Sequence, residues 1–302
     1  MSVVPHVLNL ALLALLLAAG WARGDWFARN LRHAGLLQGS ALVSAAVLVP
    51  ANLHALTLPA YSPVAAGIAA ATIVVLVVLI GSAALLRIHG QPDDQPRRIL
   101  AVGAHPDDLE LACGGTLAKF VDAGHEVHAV IMSRGAAGGE QERRAAEARS
   151  GATFLGARTV TVHDFPDTAL HGAGHGLVAA IESAIERLTP DVILTHSAHD
   201  QHQDHAAVHA ATLRAARQQH SILCFESPSV TRDFNPSVFI DIGEYVDVKV
   251  QAVRMHRDQA GKPYMSGQRL RGLATFRGAQ AKRSYAEGFE PVRMLGLTGG
   301  EL

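Results

Sequence analysis

The chain has 302 residues, with 26 Lys and Arg against 27 Asp and Glu, but only five of those charges (Arg23, Asp25, Arg29, Arg32 and Arg87) fall in the first 89 residues. A mean hydropathy of +0.17 therefore averages an apolar third with an ordinary charged remainder, which excludes a simple soluble enzyme, a disordered chain and a basic nucleic-acid binder. Aromatic residues at 5% exclude a stacking platform for single strands. The two cysteines, Cys113 and Cys224, exclude a disulfide scaffold and fit a reducing compartment.

About 20 apolar residues span a bilayer core, because each backbone amide must be satisfied inside the segment. Three windows meet that length: 3–22, 34–58 and 64–86. The middle one is weakest, carrying Gln38, Pro50, Asn52 and His54. A cleaved signal peptide would show a basic start and no further apolar windows. Arg23, Arg29 and Arg32 lie between the first two windows, and Arg87, Arg97 and Arg98 follow the third. Three spans put both clusters on one side, so the positive-inside rule predicts a multi-pass membrane protein with the amino terminus outside and the large domain cytoplasmic. The expected organisation is a transmembrane region at 1–90, a polar linker at 91–97 and a catalytic domain at 98–302.

After the linker, short Val- and Ile-rich runs at 98–103, 126–132, 159–162, 192–195 and 222–225 alternate with helical stretches at 116–123, 141–155, 177–188 and 206–218. Such alternation predicts an α/β fold, a Rossmann-like, mostly parallel sheet with helices on both faces, preceded by an all-α transmembrane region of three helices. In these sheets ligands bind beyond the carboxyl ends of the strands.

Two polar clusters stand at such strand ends. The first is Ala104-His105-Pro106-Asp107-Asp108-Leu109-Glu110. The second holds His196, His199, Asp200, His202, Asp204 and His205. Adjacent buried carboxylates repel unless a cation lies among them. Two imidazoles and a carboxylate with open positions make a catalytic divalent-metal site, most simply for Zn²⁺. Such an ion lowers the pKa of water from about 15.7 to about 7, and a spare carboxylate can take the proton.

These residues resemble the PIG-L/LmbE-type zinc-dependent N-deacetylases over roughly residues 97–290. The match rests on His105-Pro106-Asp107-Asp108 with Glu110, then Gly114-Gly115-Thr116, Phe165-Pro166-Asp167 and Asp200-x-His202-x-Asp204-His205. Weaker matches are Glu226-Ser227, Asp241-Ile242, His256-x-x-Gln259 and Ala286-Glu287-Gly288-Phe289. The resemblance implies His105, Asp108 and His205 as ligands of one divalent metal, Zn²⁺ with Fe²⁺ or another ion as substitutes. It implies Asp107 as general base. It casts His202, oriented by Asp204, as the group that stabilises the oxyanion or protonates the amine, and Arg134 as a substrate contact. Ala136 stands where many relatives carry Glu. Cys113 reads as a packed residue and Glu110 as a partner behind the site. The glycine-rich stretches 135–139 and 172–176 read as loops over it, and neither carries a Walker lysine.

The expected activity is therefore membrane-anchored removal of an acetyl group from an N-acetylglucosamine compound, small or lipid-linked, with no nucleic-acid partner. The rival readings are an amidase for larger acyl groups, a phosphoesterase with a second metal on Asp107, Asp200 and His196, and a non-catalytic metal-binding module.

Overall fold

Prolines and one serine mark where the apolar windows become helices. Helix α1 (Val4–Ala22) has Pro5 in its first turn, where a missing N–H leaves nothing unsatisfied. A short α2 (Gly24–Asn30) leads to α3 (Ala34–Ala55), which continues through Pro50. Helix α4 (Pro63–Leu85) begins after Ser62, whose hydroxyl accepts the Ala65 N–H at 3.4 Å. A computed structural model of the chain describes residues 3–59 and 61–295 and separates into two units, Met1–Ile88 and His89–Leu302. The last residues of the expected 98–302 domain, from 296 on, lie outside the described residues.

Three helices of the first unit, α1, α3 and α4, are long and apolar enough to cross a membrane. The weak middle window is a continuous helix that stops at Ala55, short of 58. Its polar residue Asn52 is fully buried and links all three helices. The Asn52 Oδ1 accepts from His6 Nδ1 at 3.0 Å and Asn9 Nδ2 at 3.4 Å, and its Nδ2 donates to Thr72 Oγ1 at 2.8 Å. In an apolar surrounding, such bonds hold helices together where hydrocarbon contact alone discriminates little. A bridge between Leu31 and Arg87 brings the α2–α3 connection beside the exit of α4. The Arg29–Arg32 stretch and Arg87 thus share one end of the unit.

The 91–97 segment is tied to the second unit, not free: Asp93 N–H donates to Ala123 O at 2.9 Å and Arg97 N–H to His125 Nδ1 at 3.1 Å. The second unit then runs β1 (Arg98–Gly103), α5 (Asp108–Asp122), β2 (Glu126–Ile131), α6 (Gln141–Leu155), β3 (Thr159–Val162), α7 (Gly174–Leu188), β4 (Val192–His196), α8 (Gln203–Ala215), β5 (Ile222–Phe225), β6 (Val238–Asp241), α9 (Val246–Arg254), α10 (Gly267–Ala281) and β7 (Ala286–Arg293). The strand order is β3-β2-β1-β4-β5-β7-β6. The five expected strands pair in parallel, but β7 pairs antiparallel with both β5 and β6, so the sheet is mixed. Strands β6 and β7 escape the pattern because one is a four-residue edge strand and the other carries Glu287, Gly288, Glu290 and Pro291, which read as loop.

Helices α7 and α8 cover one face, where Leu177, Ile181 and Val208 pack on Leu100, Val102, Val130 and Ile193. Helix α5 packs against α6 and α9. The order reverses between β1 and β4, and both polar clusters lie at the carboxyl ends of those two strands, the switch point where α/β sheets bind ligands.

Candidate metal centre

Strand β1 is buried from Ile99 to Gly103 and ends in a turn that Pro106 stiffens. Asp107 takes a left-handed φ of +100° as the residue before α5, a conformation unfavourable outside glycine that the surroundings must hold. Beneath it, Asp108 Oδ2 accepts the backbone N–H groups of Ala104 at 3.0 Å and His105 at 2.7 Å. The carboxylate is thus pinned under the strand end. From the second cluster, His205 sits in the first turn of α8. His202 precedes that helix in extended conformation (φ −76°, ψ 120°), so the two do not share a helical face as their spacing suggests. Their rings nevertheless stack, 4.5 Å apart.

His105, Asp108 and His205, a hundred residues apart in sequence, converge. His105 Nδ1 lies 3.5 Å from Asp108 Oδ2 and 3.3 Å from His205 Nε2, and His205 Nε2 lies 3.3 Å from Asp108 Oδ1. Ligands about 2.0–2.1 Å from a tetrahedral Zn²⁺ stand about 3.3–3.4 Å from one another; Asp108 comes that near to the two imidazoles with different oxygens, and single donor atoms gather within 4.8 Å in His105 with His202 and His205 and in Asp108 with His196 and His205. Each imidazole is also held from behind. His105 Nε2 meets Asp204 Oδ2 at 3.0 Å and Asp167 Oδ1 at 3.1 Å. His205 Nδ1 meets Asp200 Oδ2 at 2.8 Å. A carboxylate on the far nitrogen fixes which nitrogen faces a metal. Despite burial, Asp108 and Asp200 lift His205 to about 9, and three carboxylates raise His105, so the surroundings of both rings favour positive charge.

Asp107 is fully buried beside this group, and its Oδ2 accepts no hydrogen bond among the described residues. Burial, then the Asp108 charge, push its carboxyl up to about 6, against the pull of His256, Arg144 and His105. That value suits a base working near neutrality.

Two expected roles change. The Asp204 carboxylate does not reach His202: it accepts the N–H groups of Thr168 at 2.7 Å and Leu170 at 3.0 Å and lies against His105. What orients His202 is the backbone N–H of Asp204, which donates to its Nδ1 at 3.2 Å. Burial and the nearby His205 and His105 lower its pKa, and an Nδ1 that accepts the Asp204 N–H leaves Nε2 to carry the ring proton. Arg134 lies outside the cavity, paired with Glu142 and, at 3.3 Å, with Asp164 Oδ1. The guanidinium at the site is Arg144, on the inner side of α6, where it donates to Gly135 O at 2.7 Å and Pro106 O at 3.1 Å and lies 3.5 Å from Asp107 Oδ2. Nothing local separates Arg143 from Arg144, and only the helix orientation does.

Glu110 is buried against His256, 3.3 Å away. Gly151 makes room for that pair, since a Cβ there would sit 2.6 Å from Glu110 Oε1 and 3.0 Å from His256 Nε2. Cys113 is buried at a kink in α5, with its thiol pushed well up by burial. His196 stacks on His205 at 3.9 Å, and burial pushes it down to about 4. Asp107, Asp200 and His196 do not form a donor group among the described residues. Asp200 is taken up by His205, Ser227 and Ser229. The 172–176 stretch forms a 3₁₀ turn and the start of α7 and does not line the cavity. The 135–139 stretch packs on Arg144, and Gly138 lines the wall.

The cavity over these groups holds about 290 Å³, takes in Asp167 of the Phe165-Pro166-Asp167 match, and adds residues the motifs did not indicate: Thr168, Ser229, Lys262 and Tyr264. A larger cavity of about 770 Å³ lies in the first unit, lined by apolar groups such as Leu16, Phe27 and Leu37, with no titratable side chain on its walls among the described residues.

The PIG-L family model, described as GlcNAc-PI de-N-acetylase, matches residues 100–216. The chain is 36% identical over 166 residues to the uncharacterised deacetylase YaiS of Escherichia coli, covering 53% of this chain and 90% of that protein. It is 29% identical over 236 residues to the diacetylchitobiose deacetylase of Thermococcus kodakarensis, covering 67% and 85%. The solved structure of the conserved protein TT1542 from Thermus thermophilus shares the fold, with a TM-score of 0.60 at 24% identity, covering 68% of this chain and all of that one.

Proposed function

Because the chain belongs to the PIG-L family, we propose that it is a membrane-anchored, metal-dependent hydrolase that removes the acetyl group of N-acetylglucosamine compounds, small or lipid-linked. The family's deacetylases supply the reaction class, and the three apolar helices support the anchor. In this reading α1, α3 and α4 span the bilayer at residues 1–90, and the domain from 98 onward works on the cytoplasmic side.

His105, Asp108 and His205 would hold one divalent ion, Zn²⁺ or Fe²⁺, and the 3.3–3.5 Å that separate His105 Nδ1, His205 Nε2 and the two Asp108 carboxylate oxygens are the observation that carries the proposal. Such an ion supplies Lewis-acid polarisation of the amide carbonyl and acidifies water. Asp107 takes the proton of the attacking water on its carboxylate, whose Oδ2 lies beside Arg144, and returns it to the departing nitrogen. His202 donates from Nε2–H to the oxygen that becomes negative, its ring held by the Asp204 backbone N–H. Arg144 keeps Asp107 ionised and braces the Pro106 carbonyl beside it.

The test is acetate release from soluble and lipid-linked N-acetylglucosaminides, with and without chelator. One bound ion per chain and chelator-sensitive acetate support the proposal. Two ions per chain with phosphate release would replace it by phosphoester hydrolysis.

A further inference from the structure

The charged groups on the floor of the cavity are already matched. Asp108 is held by backbone amides and His205, Asp167 by His105 and the Ala137 N–H at 2.7 Å, and Arg144 by Gly135 O, Pro106 O and Asp107. Lys262, on the wall, is different. Among the described residues no carboxylate pairs with its ammonium, and its contact is with the Tyr264 ring, Nζ lying 5.8 Å from the centroid. The position is built, not incidental. Lys262 N–H donates to Gln259 O at 3.0 Å, and its carbonyl accepts from Met265 N–H at 3.1 Å in the turn that Pro263 opens. Gln259 in turn donates to Gly138 O at 3.2 Å, tying this turn to the 135–139 stretch. Gly138 brings the two cations' surroundings together: a Cβ there would press on Arg144 Nη1 at 2.6 Å and stand in ordinary contact with Lys262 Nζ at 3.6 Å.

An ammonium carries three donors and no acceptor and serves as a point charge for phosphate. Half-buried and without a counter-ion, it gains most from a ligand that brings an anion. We propose that Lys262 binds an anionic group, phosphate or carboxylate, on the portion of the substrate attached to the amino sugar, so that this site prefers charged over neutral N-acetylglucosaminides. The inference rests on the amide-hydrolysis reading for its turnover arm only.

The experiment uses the full metal-loaded chain in detergent micelles or phosphatidylcholine vesicles, as wild type, Lys262→Met and Lys262→Arg. The substrates are N-acetylglucosamine 1-phosphate, an N-acetylglucosaminyl diphosphoryl lipid in the vesicles, and neutral N,N′-diacetylchitobiose. The ratio of kcat/KM for charged over neutral substrate should fall roughly tenfold to a hundredfold in Lys262→Met, the range for a hydrogen bond to a charged group. The fall should appear in KM, and Lys262→Arg should recover much of it. A lipid arm exceeding the soluble phosphate, with the same Lys262 dependence, identifies a headgroup as the source, and equal use identifies phosphate itself. An unchanged ratio in Lys262→Met overturns the inference. Equilibrium binding of N-acetylglucosamine 1-phosphate and N-acetylglucosamine to both proteins is measured alongside. If no arm releases acetate, the hydrolase reading fails. The Lys262 assignment then stands if the phosphate-dependent gain in affinity is lost in Lys262→Met, and falls if that gain is absent or unchanged.

Discussion

Replacing Asp107 by Asn keeps the shape of the side chain and removes its ability to take a proton. Asp107 is buried next to Asp108, and those two facts hold its carboxyl near 6. A general base of this kind contributes about 10²–10⁴-fold in rate, so Asp107→Asn should lower kcat by about that factor. The ligand groups of His105, Asp108 and His205 are untouched, and the bound metal, measured by elemental analysis, should stay near one per chain. The pH profile gives the sharper reading. A raised carboxyl is ionised above its pKa, so kcat/KM should hold at neutral pH and fall tenfold per unit as pH drops through the acid limb. A divalent cation adds positive charge beside Asp107, which places the limb of the loaded enzyme at or below about 6. Arg144 favours the ionised form, so Arg144→Met should move the limb to higher pH, with the larger loss near pH 6 and the smaller at pH 8. Acetate release across pH 4.5–9 is the assay. An acid limb that survives in Asp107→Asn, or one above pH 7 in the wild type, would refute the assignment.

Other expectations concern the scaffold. The Glu287 carboxylate accepts the Gly115 and Thr116 N–H groups at 3.1 and 2.7 Å and pairs with the buried Lys249, bracing α5 behind the site. Glu287→Gln strands that ammonium and should destabilise by about 3–5 kcal/mol, a fall of roughly 10 °C in Tm by calorimetry. Adding Lys249→Met should restore part of the loss, and a single variant melting within about 2 °C of wild type would contradict the pairing. Asp200→Asn removes the charge that holds His205 Nδ1 and should weaken metal affinity by about 10–100-fold, read by competition with a chromogenic chelator. Arg134→Ala should leave kcat/KM within about twofold, because its partners are Glu142 and Asp164 outside the cavity and exposed pairs contribute little. A larger loss would return Arg134 to the substrate.

Local pattern carried far in this chain. Val- and Ile-rich runs spaced by helical stretches marked five parallel strands, and their ends pointed to where chemistry would gather, since strand carboxyl ends at a reversal of order leave a crevice. Apolar windows long enough to span a bilayer became three helices, even the one holding Asn52, because a buried amide can be satisfied by His6, Asn9 and Thr72. Tertiary structure alone decided the rest. That β7 runs antiparallel depends on its partners β5 and β6, not on its own Glu, Gly and Pro. Whether Arg143 or Arg144 faces the cavity depends on the rotation of α6. Asp204 serves His105 instead of His202 because the first turn of α8 aims its carboxylate at a residue 99 positions away. A contact of that kind leaves no periodicity in the chain, since its two halves are brought together only when the sheet closes around them.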